Sequence, residues 1–221
     1  MKLFAFQREM KNIGLGIKDE FGRILSLIDF GNVNYWYEND RWDWDGGKLA
    51  VGESLNIDIY KLSQFCQRFS YLSKFYYGLD QESQKSIHII SLARKSFGKT
   101  HAVTKDIQRI KHYLDPSEEK YNTRFVIYDQ KGKYILIPKC NFDVEICIDA
   151  IRLIGSYDTL CLFSSDADFI ALVKFLKDRG KKVILVKGGR IKAQLSKSPD
   201  LIIKAQDIKG DICFIKQKSR R

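Results

Sequence analysis

The segment TLCLFSSDADF at residues 159–169 decides the fold of this chain. Its first five residues form a continuous apolar run, which is typical of a parallel strand covered on both faces. Serine and aspartate then precede a helical pattern, as they do at helix N-termini. The segment therefore predicts a buried strand that delivers Asp166 and Asp168 to the sheet edge where open α/β sheets bind ligands.

Two further acids are predicted at the same edge. An apolar strand that starts at Arg23 ends in Asp29 and is followed by Asn32, and Asp143 opens the helix that precedes the strand at 159–163. If the two strands are neighbours, at least three carboxylates converge. Crowded carboxylates repel each other unless a cation lies between them, and Mg²⁺ or Mn²⁺ prefers oxygen ligands. The pattern therefore predicts a metal site.

Each acid taken alone has a simpler structural explanation. Asp166 or Asp168 can cap a helix, a role that typically stabilises by ~1 kcal/mol. Asp143 can favour a helix N-terminus through the macrodipole, and Asp29 can be an ordinary acid at a strand end. Their joint placement is what indicates a site. Asp149 is a fifth candidate on the apolar face of its helix, where a structural hydrogen bond and a site role weigh equally.

The chain as a whole predicts one α/β domain, because strands and helices alternate from residue 23 to 187 and favour a parallel sheet with right-handed crossovers. The predicted helices cover 58–70, 81–97, 142–154, 169–179 and 195–205, and further strands are predicted at 71–79, 101–105, 182–186 and 211–215. A turn at 129–132 predicts an antiparallel hairpin of 123–128 with 133–137, attached to the main sheet. The aromatic and acidic stretch 35–52 is interpreted as a surface insertion.

The boundaries that we expect are an N-terminal arm at 1–22, the main domain at 23–208, and a last strand with a basic tail at 209–221. Lys and Arg outnumber Asp and Glu by 38 to 27, for a formal charge of +11, so nucleic acid is the leading partner class. The five cysteines show no CxxC spacing, which favours reduced core residues. The sequence contains no run long enough to span a membrane, and we expect a cytoplasmic protein.

The acidic segments together resemble the NYN domain of the LabA-like proteins, a branch of the PIN-like ribonuclease fold. The motifs that carry the resemblance are DFGN at 29–32, KCNFD at 139–143 and SSDADF at 164–169. The resemblance implies a three-layer sandwich with a mainly parallel sheet and helices on both faces, to which the hairpin is attached. It also implies a divalent metal and catalysis at the matching positions, which are Asp29, Asn32, Asp143, Asp166 and Asp168. The chain departs from the usual pattern at Ser165, where glycine is common, and at Cys140-Asn141.

The resulting hypothesis is an Mg²⁺- or Mn²⁺-dependent ribonuclease that hydrolyses single-stranded or structured RNA with metal-activated water, with a homodimer as a candidate assembly. The candidate RNA contacts are Lys139, Arg94, Lys105, Lys187, Asn34 and Ser165. Four aromatic residues could stack on bases if their loop faces the site, although packing within the loop is the simpler expectation; they are Tyr35, Trp36, Trp42 and Trp44. The alternative is a non-catalytic RNA-binding or regulatory module on the same fold. A phosphatase is disfavoured because Gly31 stands where a second aspartate is expected.

Overall fold

The computed structural model describes residues 14–190 and 192–217. Over these residues the strands are β1 (Ile24–Asp29), β2 (Glu53–Ile57), β3 (Ser70–Leu79), β4 (Ala102–Asp106), β5 (Gln108–Tyr113), β6 (Ile127–Asp129), β7 (Gly132–Lys139), β8 (Thr159–Phe163), β9 (Lys182–Lys187), β10 (Leu201–Lys204) and β11 (Cys213–Gln217). The α-helices are α1 (Phe30–Val33), α2 (Ile59–Cys66), α3 (Gln84–Phe97), α4 (Pro116–Glu119), α5 (Asp143–Arg152), α6 (Ile170–Asp178), α7 (Ala193–Ser196) and α8 (Lys209–Ile212).

Six strands form one parallel sheet in the order β10-β9-β8-β1-β3-β4. From β1 the chain adds β3 and β4 on one side, and it later adds β8, β9 and β10 on the other side. The strand order therefore reverses between β1 and β8, and open α/β sheets leave a crevice at the carboxyl ends of the strands at such a point. The register pairs Ile28 with Phe163, which brings the ends of β1 and β8 side by side.

Two hydrophobic cores, one on each face of this sheet, make the three layers. Successive residues of a strand point to opposite faces, and Ile28 accordingly lies in the core that contains α2 and α3. Leu27 lies in the core that contains α5 and α6, and both side chains are fully buried. The predicted α/β sandwich with a central, mainly parallel sheet is confirmed.

Local sequence signals set the helix ends as expected. The Asp58 carboxylate accepts hydrogen bonds from the backbone N–H groups of Tyr60 and Lys61 at the start of α2. Ser83 caps α3 through the N–H of Ser86. Gly98 ends α3 with φ of 99°, a conformation that favours glycine. These contacts fix where α2 and α3 begin and where α3 ends, and the apolar residues of both helices pack in the core on one face of the sheet.

A second, antiparallel sheet has the order β5-β7-β6, and we call it the side sheet. Its β6-β7 pair confirms the predicted hairpin, although the first strand begins at Ile127 and not at residue 123. Strand β5 has no counterpart in the sequence prediction, because its residues are exposed or half-buried and carry no apolar alternation. Pairing with β7 is what holds it in place.

The predicted helix at 195–205 is wrong. The chain forms only the short helix α7 there and then β10, which pairs in parallel with β9 at the edge of the main sheet. The run Leu201-Ile202-Ile203 suits a strand because branched side chains pack well on a pleated surface. Asp200 fixes the start of this strand by accepting a hydrogen bond from the Val183 N–H at 2.7 Å.

The two ends of the described chain pack against the domain. Ile17 and Phe21 are buried in the core with α2 and α3, and β11 pairs antiparallel with β2 in a two-stranded sheet. Residues 1–13 and 218–221, which include most of the expected N-terminal arm and the end of the basic tail, lie outside the described residues. All five cysteine thiols are free. Within the described chain, none of the helices is both long enough and apolar enough to cross a bilayer.

The core residue Phe163 provides a test of this packing. It is fully buried and meets the Phe65 ring edge-on, with 6.3 Å between the centroids. We expect Phe163→Ala to lower the free energy of unfolding by about 3–5 kcal/mol, because it removes a large buried ring and leaves a cavity. Phe125→Ala makes the same change at an 86% exposed ring and should cost less than about 0.5 kcal/mol. Urea unfolding followed by circular dichroism measures both, and equal effects would contradict the packing described.

Candidate metal centre

The centre is built where β1 and β8 end beside each other. Asp29 is the last residue of β1, and Ser164 directly follows β8. The Ser164 hydroxyl donates a hydrogen bond to Asp29 Oδ2 at 3.0 Å, and Ser164 itself is fully buried. This contact joins the two halves of the sheet at the reversal of strand order and fixes the Asp29 carboxylate.

The turn after β8 carries Asp166 and Asp168. The Asp166 N–H donates to Ser164 Oγ at 3.2 Å, and Asp166 Oδ1 accepts from the Asp168 N–H at 3.0 Å. Asp166 therefore does cap the 3₁₀ turn Ala167–Phe169 that leads into α6. Capping occupies one carboxylate oxygen, so the other oxygen of Asp166 is left to act at the centre.

Asp143 reaches the same place from the first residue of α5. Asn141 holds it on two sides, because Asn141 Oδ1 accepts from the Asp143 N–H and Asn141 Nδ2 donates to Asp143 Oδ2, both at 2.7 Å. The carboxylate also lies at the N-terminus of a ten-residue helix, where negative charge is favoured. These contacts set the direction in which the Asp143 carboxylate points.

Three of the four predicted acids meet closely enough to share one ion. Asp143, Asp166 and Asp168 each offer a carboxylate oxygen, and these three atoms lie within 4.8 Å of one another. A set of carboxylate oxygens suits a hard divalent cation such as Mg²⁺ or Mn²⁺, which completes its coordination with water. Asp29 lies outside this group of three, but it lines the same cleft as Asp143 and Asp166.

The pKa values of two acids of the centre are raised, which means that their charged forms destabilise the metal-free fold. Burial raises the pKa of Asp29 to about 6, although hydrogen bonds from Ser164 and from the Asn32 N–H oppose the shift. Burial also raises the pKa of Asp143; the Asn141 hydrogen bond opposes this, and the charges of Asp166 and Asp168 add to it. Each charged carboxylate is therefore disfavoured in the folded protein, and a bound cation would reverse that.

Asn32 is held in a defined orientation by two donors. The Trp36 indole N–H donates to Asn32 Oδ1 at 2.9 Å, and the Ser165 N–H donates to the same atom at 3.0 Å. Because both partners can only donate, the shared atom must be the amide oxygen. The Asn32 NH₂ group consequently points away from Trp36 and Ser165, and Asn32 lines the cleft.

Trp36 can reach Asn32 because residue 188 is glycine. A Cβ atom on Gly188 would lie 2.4 Å from Trp36 Cδ1, so only glycine allows this contact. The Gly188 backbone is itself held by Ser165, whose hydroxyl donates to the Gly188 carbonyl at 2.8 Å. Ser165 thus ties the end of β9 to the turn after β8, a structural role for the position where the chain departs from the usual glycine.

The acids open into a cleft of about 450 Å³. Its walls come from the ends of β1 and β3, from the start of α5 and from the last residues of β7. The non-acidic residues around it include Tyr35, Tyr77, Lys139 and Asn141. The cleft is thus lined by carboxylates, a cation and aromatic rings.

Comparison with known proteins identifies the family of this chain. The family model of the NYN domain matches residues 27–207, which is most of the chain and contains all the acids described above. The chain belongs to the NYN domain family. Its LabA-like character is supported by the low amplitude and bright protein LabA of Synechococcus elongatus, which is 29% identical over 94 residues. That match covers 42% of this chain and 49% of LabA, so the aligned part spans about half of the relative.

A solved structure shows the same fold. A Vibrio parahaemolyticus protein of unknown function superimposes with a TM-score of 0.56 at 21% identity, and the match covers 89% of this chain and 99% of that one. At this identity the similarity concerns the fold alone. Family membership makes this chain a PIN-like, nuclease-type domain related to RNA, and its acidic cluster lies at the predicted sheet edge.

The cations predicted as RNA contacts occupy different places in the NYN domain. Lys139 lines the cleft. Lys105 pairs with Glu145 at 2.7 Å and lies over the Phe142 ring, and its charge partly opposes the burial that raises the pKa of Asp143. Lys187 donates to the Gly189 carbonyl just after β9. Arg94 lines a separate pocket beside α3, together with Lys95 and Lys99, and is not brought to the cleft.

The aromatic residues of the 35–52 insertion also separate. Tyr35 lines the cleft and is 62% exposed, whereas Trp36 packs against the core and holds Asn32. Trp44 packs against Gly210 of α8, and the backbone carbonyl of Trp42 accepts a hydrogen bond from Lys209. Of the four rings, Tyr35 is the one that the structure places at the cleft of the NYN domain. Asn34 caps the C-terminal end of α1 with its backbone.

Asp149 is engaged by structural partners. Its carboxylate forms an ion pair with Lys74 and accepts a hydrogen bond from the Tyr76 hydroxyl at 2.6 Å. Tyr76 is the register partner of Asp29 on the neighbouring strand, and its ring contacts Phe142. Asp149 thus supports the strand and helix that flank the centre, and it is not among the three acids that meet there.

Two residues of the centre were not predicted from sequence. Ser164 and Asn141 both lie inside the quoted motifs. Ser164 contacts Asp29 on a different strand, and Asn141 contacts Asp143 within the turn before α5. The signal available in the sequence was an Asx residue two positions before the helix-opening Asp143, a spacing at which a side chain bonds to nearby backbone. The serine carried no comparable signal, because its partner is 135 residues away.

Replacing Asp29 by asparagine should stabilise the metal-free NYN domain. The folded-state pKa of about 6 exceeds the ordinary 3.8, so the charged form costs free energy at high pH, and this cost disappears as pH falls from about 6 to below 3.8. We expect Asp29→Asn to raise the free energy of unfolding by about 1–3 kcal/mol near pH 8 in EDTA, and by much less near pH 4. The exposed acid Asp45 is the control, and Asp45→Asn should change the free energy of unfolding near pH 8 by less than about 0.5 kcal/mol. Loss of stability in Asp29→Asn near pH 8 would contradict the electrostatic description.

Proposed function

We propose that this NYN domain is a metal-dependent ribonuclease that hydrolyses RNA phosphodiester bonds. The observation that carries the proposal is the convergence of three carboxylates in a nuclease-type family, at the crevice where the strand order reverses. The formal charge of +11 supports a polyanionic substrate. An acidic centre within a basic protein is expected where a cation mediates contact with phosphate.

The metal would be held by Asp143, Asp166 and Asp168, with Asp29 next to them in the cleft. When bound, Mg²⁺ or Mn²⁺ supplies a more acidic water for attack and offsets the negative charge that develops on the phosphate. Ser164 and Asn141 fix the Asp29 and Asp143 carboxylates, so the ligand oxygens need little reorganisation.

Other side chains of the cleft would bind the substrate. The Asn32 amide oxygen accepts hydrogen bonds from Trp36 and Ser165. Its NH₂ group would therefore donate to a phosphate oxygen of the RNA. Lys139 supplies a positive charge in the lining of the cleft, and the exposed Tyr35 ring offers a face on which an unpaired base can stack. These groups suit an unpaired strand better than a duplex, because stacking on a side chain requires a base that is not already stacked.

Neutralising an acid of the centre tests the proposal. We expect Asp166→Asn and Asp29→Asn to lower Mn²⁺-dependent cleavage of a single-stranded RNA by at least about a hundredfold, the scale of removing one preorganised electrostatic group. Asp45→Asn should retain wild-type activity. The assay follows a labelled oligoribonucleotide with pure protein, in Mn²⁺ and in EDTA. Unchanged cleavage by Asp166→Asn would end the proposal, and RNA binding without any cleavage would favour a regulatory RNA-binding module.

Trp36 should act on cleavage through Asn32. Trp36→Phe keeps an aromatic ring against Gly188 but removes the indole N–H, so that the Ser165 N–H is left as the one of these two donors that orients the Asn32 amide. We expect kcat/KM for RNA to fall by roughly ten- to a hundredfold, because small misplacements of a positioned group are costly. The 55% exposed Trp42 provides the control Trp42→Phe.

A double-mutant cycle separates this positioning role from a general loss of structure. If Trp36 acts only by orienting Asn32, then Trp36→Phe should have little further effect on kcat/KM in an Asn32→Ala protein. Additive losses in the two single variants and the double variant would instead indicate that the indole acts independently of Asn32.

A further inference from the structure

Strand β7 connects the cleft to a second groove. Side chains alternate between the faces of a strand, so Lys139, Ile137 and Ile135 lie on one face of β7. Lys139 lines the cleft that holds the acids. Ile137 and Ile135 line a groove of about 550 Å³ on the side sheet. With a rise of ~3.3 Å per residue, the four steps from Lys139 to Ile135 span about 13 Å.

The groove combines an apolar floor with an exposed aromatic wall. Ile135 and Ile137 form the floor, and the segment that follows α4 supplies Tyr121 and Arg124. The Tyr121 ring is 78% exposed, although it is a large ring beside an apolar floor. The capping box of Asp115 with Glu118 fixes the short helix α4 and thereby positions this wall. Lys120 Nζ lies 5.8 Å from the centroid of the Tyr121 ring, and an exposed ring next to a cation is an arrangement on which unpaired bases stack.

The cations of the side sheet divide into two groups. Three are neutralised within the fold: Arg109 pairs with Asp80 and Glu82, Lys111 with Asp129, and Lys133 with Glu119. Within residues 120–139, which the structure describes in full, Lys120, Arg124, Lys131 and Lys139 are not in an ion pair, and two of them, Lys139 and Arg124, line the two sites. These two cations lie at the cleft and in the groove respectively. Their positive charges are thus available to an anionic ligand that runs from one site to the other.

We propose that this groove is a subsite for single-stranded RNA that extends beyond the scissile phosphodiester. A base would stack on Tyr121 above the floor of Ile135 and Ile137, and Arg124 and Lys139 would contact phosphates on either side. The inference rests on the proposed function, because it assumes that the cleft holds RNA. The apolar floor alone would suit a peptide, whereas a continuous nucleic acid strand accounts both for the exposed ring and for an unpaired cation at each of the two sites.

Binding and cleavage of RNAs of two lengths test the subsite. The probes are fluorescein-labelled oligoribonucleotides of about 4 and about 16 nucleotides, titrated with the full chain in EDTA and then cleaved in Mn²⁺. We expect Tyr121→Ala and Arg124→Glu each to lower the ratio of long-RNA to short-RNA affinity by about tenfold. In Mn²⁺, the same variants should raise KM for the long RNA.

Matched controls isolate the groove. Tyr60→Ala removes a ring that is 61% exposed on α2, and Arg152→Glu reverses an exposed charge at the end of α5. Both controls should keep the wild-type affinity ratio. A polyglutamate peptide serves as a polyanion without bases, and its binding should respond to Arg124→Glu but not to Tyr121→Ala.

The outcomes distinguish the subsite from the ribonuclease proposal. An affinity ratio that is unchanged in both groove variants would overturn the subsite, even if the wild-type protein cleaves RNA. A lowered ratio in a protein that binds RNA but never cleaves it would support the subsite and overturn the nuclease. Failure of the wild-type protein to bind either RNA in EDTA and in Mn²⁺ would overturn both proposals.

Discussion

The reversal of strand order between β1 and β8 is the constraint on which the rest of this protein depends. The chain leaves β1 through elements that pack on one face of the sheet, and it enters β8 after α5, which packs on the other face. A crevice is therefore left at the carboxyl ends of β1 and β8. Two hydrogen bonds cross this crevice, from the Ser164 hydroxyl to Asp29 and from the Ser165 N–H to Asn32. The same contacts therefore join the ends of the two strands and orient the side chains of the centre.

The centre illustrates how a fold can hold groups that oppose its stability. Asp29 and Asp143 are partly withdrawn from water, and their raised pKa values record that cost. The cost is limited by donors already in place, which are the Ser164 hydroxyl, the Asn141 amide and the Asn32 backbone N–H. The cation that we propose for this centre would offset the cost that remains.

The side sheet contributes to the cleft from outside the two hydrophobic cores. Its strands belong to neither of the two hydrophobic cores, yet the end of β7 forms part of the cleft. Pairing among its own strands and ion pairs to Asp80 and Glu82 hold it beside the main sheet. Strand β7 thus runs from the cleft with the acids to the groove that Ile135 and Ile137 line.

Sequence alone predicted the features that depend on local pattern. Apolar runs ending in Asp29 and in Ser164-Ser165-Asp166 identified the buried strands and the acids at their ends, because a covered parallel strand has a distinctive composition. The prediction of a helix at 195–205 was wrong because Leu201-Ile202-Ile203 is a short apolar run that suits either a helix or a strand. Pairing with the edge strand β9 makes it a strand.

The closeness of the acids was decided by tertiary structure. The sequence pattern predicts that Asp143, Asp166 and Asp168 lie near the ends of strands or helices. Their carboxylate oxygens come within 4.8 Å of one another only because α5 packs against β1 and against the turn after β8. The same holds for Asp149, whose partners Lys74 and Tyr76 lie about 75 residues away, and for Trp36, which reaches Asn32 only because Gly188 leaves space. Sequence determines which groups face a sheet edge, since that follows from periodicity. Which of them touch depends on distant segments meeting, and no local pattern encodes that.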